Sequence, residues 1–372
     1  MNSSASSATG PPRAVVIVLS GLGPAFIGGY GNEWIRTGTL DRLCARGVVF
    51  DRHYSTTTDI TGASRCWLGK CPNLIPDLNH AGVATVRVSN SAVSHGESSW
   101  VFDEIAAPEA ERPWSLLPIR RALYPLLDKL PKNAPAFLWI EADGLFPHWR
   151  PPKRWLNYYF VPDDEGDNPL LPWRDELPSD VAKDDDETFE RLQSTFAANV
   201  SAMDRSLGKL LAGCRSHGFG RNAMIAVTTD LSLPLGEQGP VGRTSGMIQE
   251  SSIHLPLIVR MPGQNLAGHR IDTLTQPADL GETIAVYFGM APADTCSLLP
   301  LMRGEKMALR NHLIIRSSTS TAIRTVDRLL IRDQGLSKVF EQPSDRWQVH
   351  DVAGTMDDEL ARLEAMLNLV AK

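Results

Sequence analysis

The 372-residue sequence predicts an α/β fold with a mixed, mostly parallel sheet, followed by a small C-terminal antiparallel sheet with a closing helix. Three observations carry this reading. Residues 14–19 (Ala-Val-Val-Ile-Val-Leu) are apolar and rich in β-branched side chains without polar alternation, as expected of a strand covered by helices on both faces. Further runs at 83–88, 136–141, 224–230 and 255–260 alternate with helical stretches and end in polar residues, the layout that gathers function at strand carboxyl ends. From about Arg303 the texture changes to short runs at 312–315, 321–325, 328–331 and 338–340, divided by turn-forming residues, which predicts the antiparallel sheet.

The elements follow in order. Residues 39–47 form an amphipathic helix stopped by Gly47, and 48–50 begin an extended piece. Residues 151–188 are rich in Pro, Asp and Trp and too long for a simple connection, so they read as an insertion. Its acidic runs, 163–167 and 184–187, lack the spaced carboxylates, central glycine and closing glutamate of a calcium loop, and read as a solvated surface. Residues 189–213 form a long amphipathic helix, with Phe196, Val200, Met203, Leu207, Leu210 and Leu211 at three- and four-residue spacing. Helices at 279–289 and 356–369 complete the series, and Trp139, Trp149, Trp155 and Trp173 are expected to pack the insertion against the sheet. The chain divides into a disordered tail (1–10), an α/β domain (11–300) and a C-terminal α+β subdomain (301–372).

Composition narrows the function. A formal charge of −6 with scattered Lys and Arg offers no basic stripe, which argues against nucleic acid. No run reaches the ~20 apolar residues of a membrane span, and the polar opening is neither a secretory signal nor a transit peptide. Five cysteines without pairing rhythm fit a reducing, cytoplasmic setting. At the strand ends, the first strand runs into Ser20-Gly21, and the strand ending at Asp230 is followed by Leu231.

Gly28-Gly29-Tyr30-Gly31-Asn32, Leu40-Asp41-Arg42-Leu43, Gly47-Val48-Val49-Phe50-Asp51, Pro147-His148-Trp149, Gly236-Glu237-Gln238-Gly239, Pro256-Leu257-Ile258 and Ala322-Ile323-Arg324-Thr325 occur in this order. The set resembles the sulfatase family of the alkaline-phosphatase superfamily over nearly the whole chain. The resemblance implies an alkaline-phosphatase-like α/β/α sandwich, and it also assigns roles. The family's four metal-ligand positions read Ser20, Gly21, Asp230 and Leu231 here. Thr61 stands at the nucleophile position of Thr61-Gly62-Ala63-Ser64-Arg65, where it cannot become formylglycine. Arg65, Arg243 and His148 fall on the anion-holding positions, while the Lys and His that follow the third strand are replaced in Arg87–Ala92.

Sulfate and phosphate esters repel a nucleophile unless a cation and cationic side chains neutralise their oxygens. A calcium-type ion wants several oxygen ligands, and one carboxylate of four positions is a poor set. The reading is therefore a sulfatase-like pseudoenzyme without a resident cofactor, keeping a partial pocket for sulfate or phosphate. Two alternatives stand beside it: an active ester hydrolase with Thr61 as nucleophile and a weakly held calcium or other divalent metal at Asp230 and Ser20, or a structural or oligomerising subunit. Arg65 and Arg243 either grip an anion through their guanidinium forks or pair with Asp230 or Asp59. The sequence names no protein partner.

Overall fold

The computed structural model describes residues 10–59, 63, 66–67, 71–90, 103–106, 112–160, 171–182, 185–242, 246–264, 266–291 and 296–370. Among them, eight strands form one sheet in the order β4-β3-β5-β1-β6-β7-β2-β8 and four form a second in the order β12-β11-β10-β9. The large sheet comprises β1 (Arg13–Leu19), β2 (Val48–Tyr54), β3 (Ala84–Ser89), β4 (Asp103–Ala106), β5 (Ala136–Ala142), β6 (Ala223–Thr228), β7 (His254–Arg260) and β8 (His269–Ile271). The small sheet comprises β9 (His312–Arg316), β10 (Ser320–Thr325), β11 (Arg328–Asp333) and β12 (Leu336–Glu341). Only β7 runs against the other seven strands of the large sheet, so it is mixed and mostly parallel, and all pairs of the small sheet are antiparallel.

The absence of alternation in β1 has its physical cause in two covered faces. Val15, Ile17 and Leu19 pack with Leu192, Phe196 and Leu207 of the long helix Asp186–Ser216 and with Ile119 and Leu123 of the helix Leu117–Leu127. Ala14, Val16 and Val18 pack on the opposite side with Leu74 and Leu78 of the helix Leu74–His80 and with Leu280 and Ile284 of the helix Pro277–Tyr287. The long helix extends beyond the predicted 189–213 at both ends, beginning where the Asp185 carboxylate accepts the Thr188 N–H at 3.0 Å.

One buried acid on that helix ties the layer together. Asp204 accepts the Thr39 N–H at 2.9 Å and the Leu40 N–H at 2.8 Å, satisfying free donors at the start of the helix Gly38–Arg46. Burial pushes its carboxyl up to about 6 despite those hydrogen bonds. The small sheet joins the large one through Tyr54, Ile253, Leu274, Leu313 and Ile315. At the same junction the buried Arg324 guanidinium donates to Tyr54 Oη at 3.0 Å, and Tyr54 donates to Glu250 at 2.9 Å. The terminal helix Asp357–Val370 covers the outer face through Leu363 and Leu367 against Ile323 and Leu330.

Trp139 and Trp149 are buried in the two core layers, with Trp149 set edge-on to Phe196. Trp155 and Trp173 are partly buried against the layer built on the long helix. No helix among the described residues is long and apolar enough to cross a membrane.

Candidate anion-binding site

β1 lies between β5 and β6, in register with both, and its carboxyl end leads into Ser20 and Gly21, beside Asp230 and Leu231 after β6. Ser20 N–H donates to the Ala142 carbonyl at 2.9 Å, which holds this buried residue beside β5. Gly21 bridges to Ser232 past the end of β6; its N–H donates to Leu231 O at 3.0 Å and its carbonyl accepts the Leu233 N–H at 3.2 Å. β6 ends at Thr228, two residues before the predicted end, because Asp230 turns the chain: its Oδ1 accepts the Leu231 N–H at 2.7 Å and the Thr229 hydroxyl at 3.3 Å. Ser20 and Asp230 therefore stand at the ends of neighbouring strands.

The other two positions contribute backbone and apolar surface. Gly21 has φ +91°, a backbone conformation that strains any side chain, although a Cβ there would meet Leu145 Cβ and Leu233 Cβ only at ordinary contact distances of 3.4 and 3.6 Å. Leu231 is buried. One carboxylate and one hydroxyl do not fit a calcium-type ion, which takes about six to eight oxygens. Among the described residues no three His, Cys, Asp or Glu side chains are grouped to hold a metal.

Thr61, Arg65 and Arg243 lie outside the described residues. Ala63, Cys66 and Trp67, close to Thr61 and Arg65 in the chain, are described. Ala63 and Trp67 are buried, Ala63 N–H donates to Asp59 O at 2.8 Å, and Trp67 meets Trp139 edge-on at 5.5 Å. Gly281 in the neighbouring helix approaches so closely that a Cβ would lie 2.4 Å from Trp67 O. His148 is exposed on the loop after β5, joined to Pro147 by a cis peptide bond. The same loop passes the end of β1 at Leu145, whose carbonyl accepts the Trp149 indole N–H at 2.8 Å.

The site face also holds a charge pair that motif reading passed over. Glu141, two residues beyond Trp139 on β5, accepts from the Arg87 guanidinium of β3 at 2.6 Å and from the Trp139 indole at 2.5 Å. Burial pushes the Glu141 carboxyl up, and attraction to Arg87 only partly opposes this. The signal was present in the sequence as one charge inside each of two otherwise apolar strand runs, a placement that demands a partner.

A family model described as Sulfatase matches residues 79–290, more than half of the chain. The chain belongs to the sulfatase family. N-acetylglucosamine-6-O-sulfatase of Bacteroides thetaiotaomicron is 26% identical over 179 residues, covering 44% of this chain and 30% of that protein. Steryl-sulfatase of Rattus norvegicus is 27% identical over 131 residues, covering 31% of this chain and 23% of that protein. The alignments thus span less than a third of these sulfatases' own lengths.

Among solved structures, BT4656 in complex with its substrate D-glucosamine-2-N,6-O-disulfate superposes with a TM-score of 0.78 at 16% identity, covering 97% of each chain. The phosphonate monoester hydrolase of Agrobacterium radiobacter gives 0.74 at 16% identity, covering 97% of this chain and 95% of that one. These likenesses establish the alkaline-phosphatase-like sulfatase fold for the chain. Sulfatases generally use a divalent metal, whereas the strand ends of this member present the reduced donor set described above.

Proposed function

We propose that this sulfatase-family chain is catalytically impaired and acts by binding a sulfate or phosphate anion. The observation that carries the reading is the chemistry at the ends of β1 and β6. Asp230 supplies the one carboxylate among the four positions, Ser20 a neutral hydroxyl, Gly21 only backbone in a left-handed turn, and Leu231 a buried hydrocarbon. Without several anionic oxygens a divalent ion has little to hold it there, and an ester's charge must be met by side chains alone. Arginine suits that task, since a guanidinium fork grips an oxyanion bidentately without a metal. Arg65 and Arg243 carry this role in the proposal, with His148 at the rim.

Among the described residues the five cysteines form no disulfide, and burial pushes the Cys44 and Cys214 thiols up to about 12, which suits inert side chains in a reducing cytoplasm. Calorimetry with calcium, magnesium, manganese and zinc, together with turnover of 4-nitrophenyl sulfate and phosphate, tests impairment. Neither saturable micromolar metal binding nor turnover is expected. Both appearing together, and both lost in Asp230→Ala, would restore the hydrolase reading with Thr61 as nucleophile. Sulfate should raise the thermal midpoint of the wild type and not of Arg65→Ala; no effect on either would leave the structural-subunit reading in its place.

A further inference from the structure

At the end of the sheet opposite Ser20 and Asp230, three stretches of chain that contain no Asp or Glu come together, residues 42–50, 205–229 and 251–271. They meet because β7 runs against β6, so that Arg260, the last residue of β7, stands in register with Ile225 near the start of β6. Its guanidinium donates to the Gly220 carbonyl at 2.5 Å and to the Ala223 carbonyl at 3.3 Å.

Three more arginines stand around this point. A Cβ on Gly220 would lie 3.2 Å from Arg215 Cγ, so the stem of Arg215, from the last turn of the long helix, passes beside the Gly220 backbone. The Arg221 carbonyl accepts the Gly263 N–H at 3.0 Å, which ties Arg221 to the turn after β7. Arg46 ends the helix Gly38–Arg46, and Gly47 beside it presses on β7, where a Cβ would lie 2.8 Å from the Val259 carbonyl oxygen. Arg46, Arg215 and Arg221 are exposed and Arg260 is half-buried. Burial, and after it the like charges of Arg215 and Arg46, hold the Arg260 guanidinium below its ordinary value.

Helix chemistry accounts for two of the four. Arg46 and Arg215 lie in last turns, where the helix dipole favours a cation. Arg221 and Arg260 have no such role, and among the described residues none of the four forms an ion pair. Asn265 is the one residue of the three stretches outside the described set, and its side chain is neutral. In a chain of net charge −6, four like charges from four segments thus stand together without a carboxylate between them. An anion among them relieves their mutual repulsion.

We propose that Arg46, Arg215, Arg221 and Arg260 bind a compact ligand bearing several phosphate groups. Each guanidinium fork takes a pair of oxyanion oxygens, so four forks from four segments suit linked phosphates better than one sulfate. The cations form a compact group and not a track, whereas a nucleic-acid backbone needs a stripe. Free polyphosphates and polyphosphorylated lipid headgroups present the same chemistry. The cluster lies at the far end of the sheet from Ser20 and Asp230, so it stands independently of the anion site proposed there.

Calorimetry of the whole protein with tripolyphosphate and with inositol hexakisphosphate, at fixed ionic strength, tests this. Saturable binding is expected, weakened about tenfold or more in Arg260→Gln and in Arg46→Gln/Arg221→Gln and unchanged in Arg65→Ala. The double variant alters exposed side chains only, so it keeps a native circular dichroism spectrum even where Arg260→Gln misfolds. Absence of saturable binding, an affinity unchanged in Arg46→Gln/Arg221→Gln, or binding no tighter than that of orthophosphate overturns the proposal. Loss of binding in Arg65→Ala also overturns it, by placing the ligand at the other end of the sheet. Sedimentation with vesicles separates the two sources: capture by phosphatidylinositol bisphosphate that inositol hexakisphosphate reverses supports the lipid headgroup, and binding of free polyphosphate without capture supports the soluble anion. Equal capture by phosphatidylserine vesicles, or tighter binding of a single-stranded oligonucleotide, overturns the proposal.

Discussion

Glu141→Gln removes one charge of the Arg87–Glu141 pair while leaving the side-chain volume almost unchanged. Both side chains are nearly enclosed, at 11% and 8% exposure, and their closest atoms are 2.6 Å apart, so solvent can do little to replace the lost partner. Breaking such a pair costs about 3–5 kcal/mol, chiefly because the remaining charge stays buried. At roughly 1.3 °C per kcal/mol for a chain of this size, the thermal midpoint should fall by about 4–6 °C. Urea denaturation followed by circular dichroism measures the loss. Replacing both partners, as Arg87→Met/Glu141→Leu, should return stability to within about 1 kcal/mol of the wild type, because an apolar pair carries no desolvation cost. A loss under about 1 kcal/mol in Glu141→Gln would refute the view that these charges are desolvated and mutually dependent.

Two further outcomes follow from the core. His53 is fully buried with Nδ1 against Thr275 Oγ1 at 3.0 Å and Nε2 unpartnered, and burial, helped by His254 and Arg310, lowers it to about 3. Because the unfolded chain takes up a proton first, stability is complete above the ordinary histidine value and is lost as pH falls below it, at about 1.4 kcal/mol per pH unit. Between pH 6.5 and 5 the wild type should therefore lose roughly 2 kcal/mol more than His53→Leu; parallel stability curves for the two would contradict this. Gly281→Ala should destabilise by about 1–3 kcal/mol, since the new methyl meets the Trp67 carbonyl at 2.4 Å, and an unchanged denaturation midpoint would show that the helix can withdraw.

The large strands and the long helix were legible because their signals are local and periodic. Residues 14–19 could hardly be anything but a buried strand, and the small sheet announced itself through short runs separated by turn residues. The helices Leu74–His80 and Leu117–Leu127 were not read. Both carry a proline, and the first is only two turns long, so their periodicity is weak until the sheet supplies a surface to cover. The service of Asp204 to the start of another helix, 165 residues away, depends on packing alone.

The sequence by itself determined the layered α/β architecture and the poverty of metal ligands at Ser20, Gly21, Asp230 and Leu231, because strand character and ligand chemistry are properties of the residues themselves. Only the tertiary structure decided that Gly21 takes a left-handed turn beside Leu145 and Leu233, that Arg87 answers Glu141, and that arginines from four segments gather about the Gly220 backbone. Those facts arise from distances between segments far apart in the chain, and burial turns such distances into energy by removing the water that would otherwise screen them.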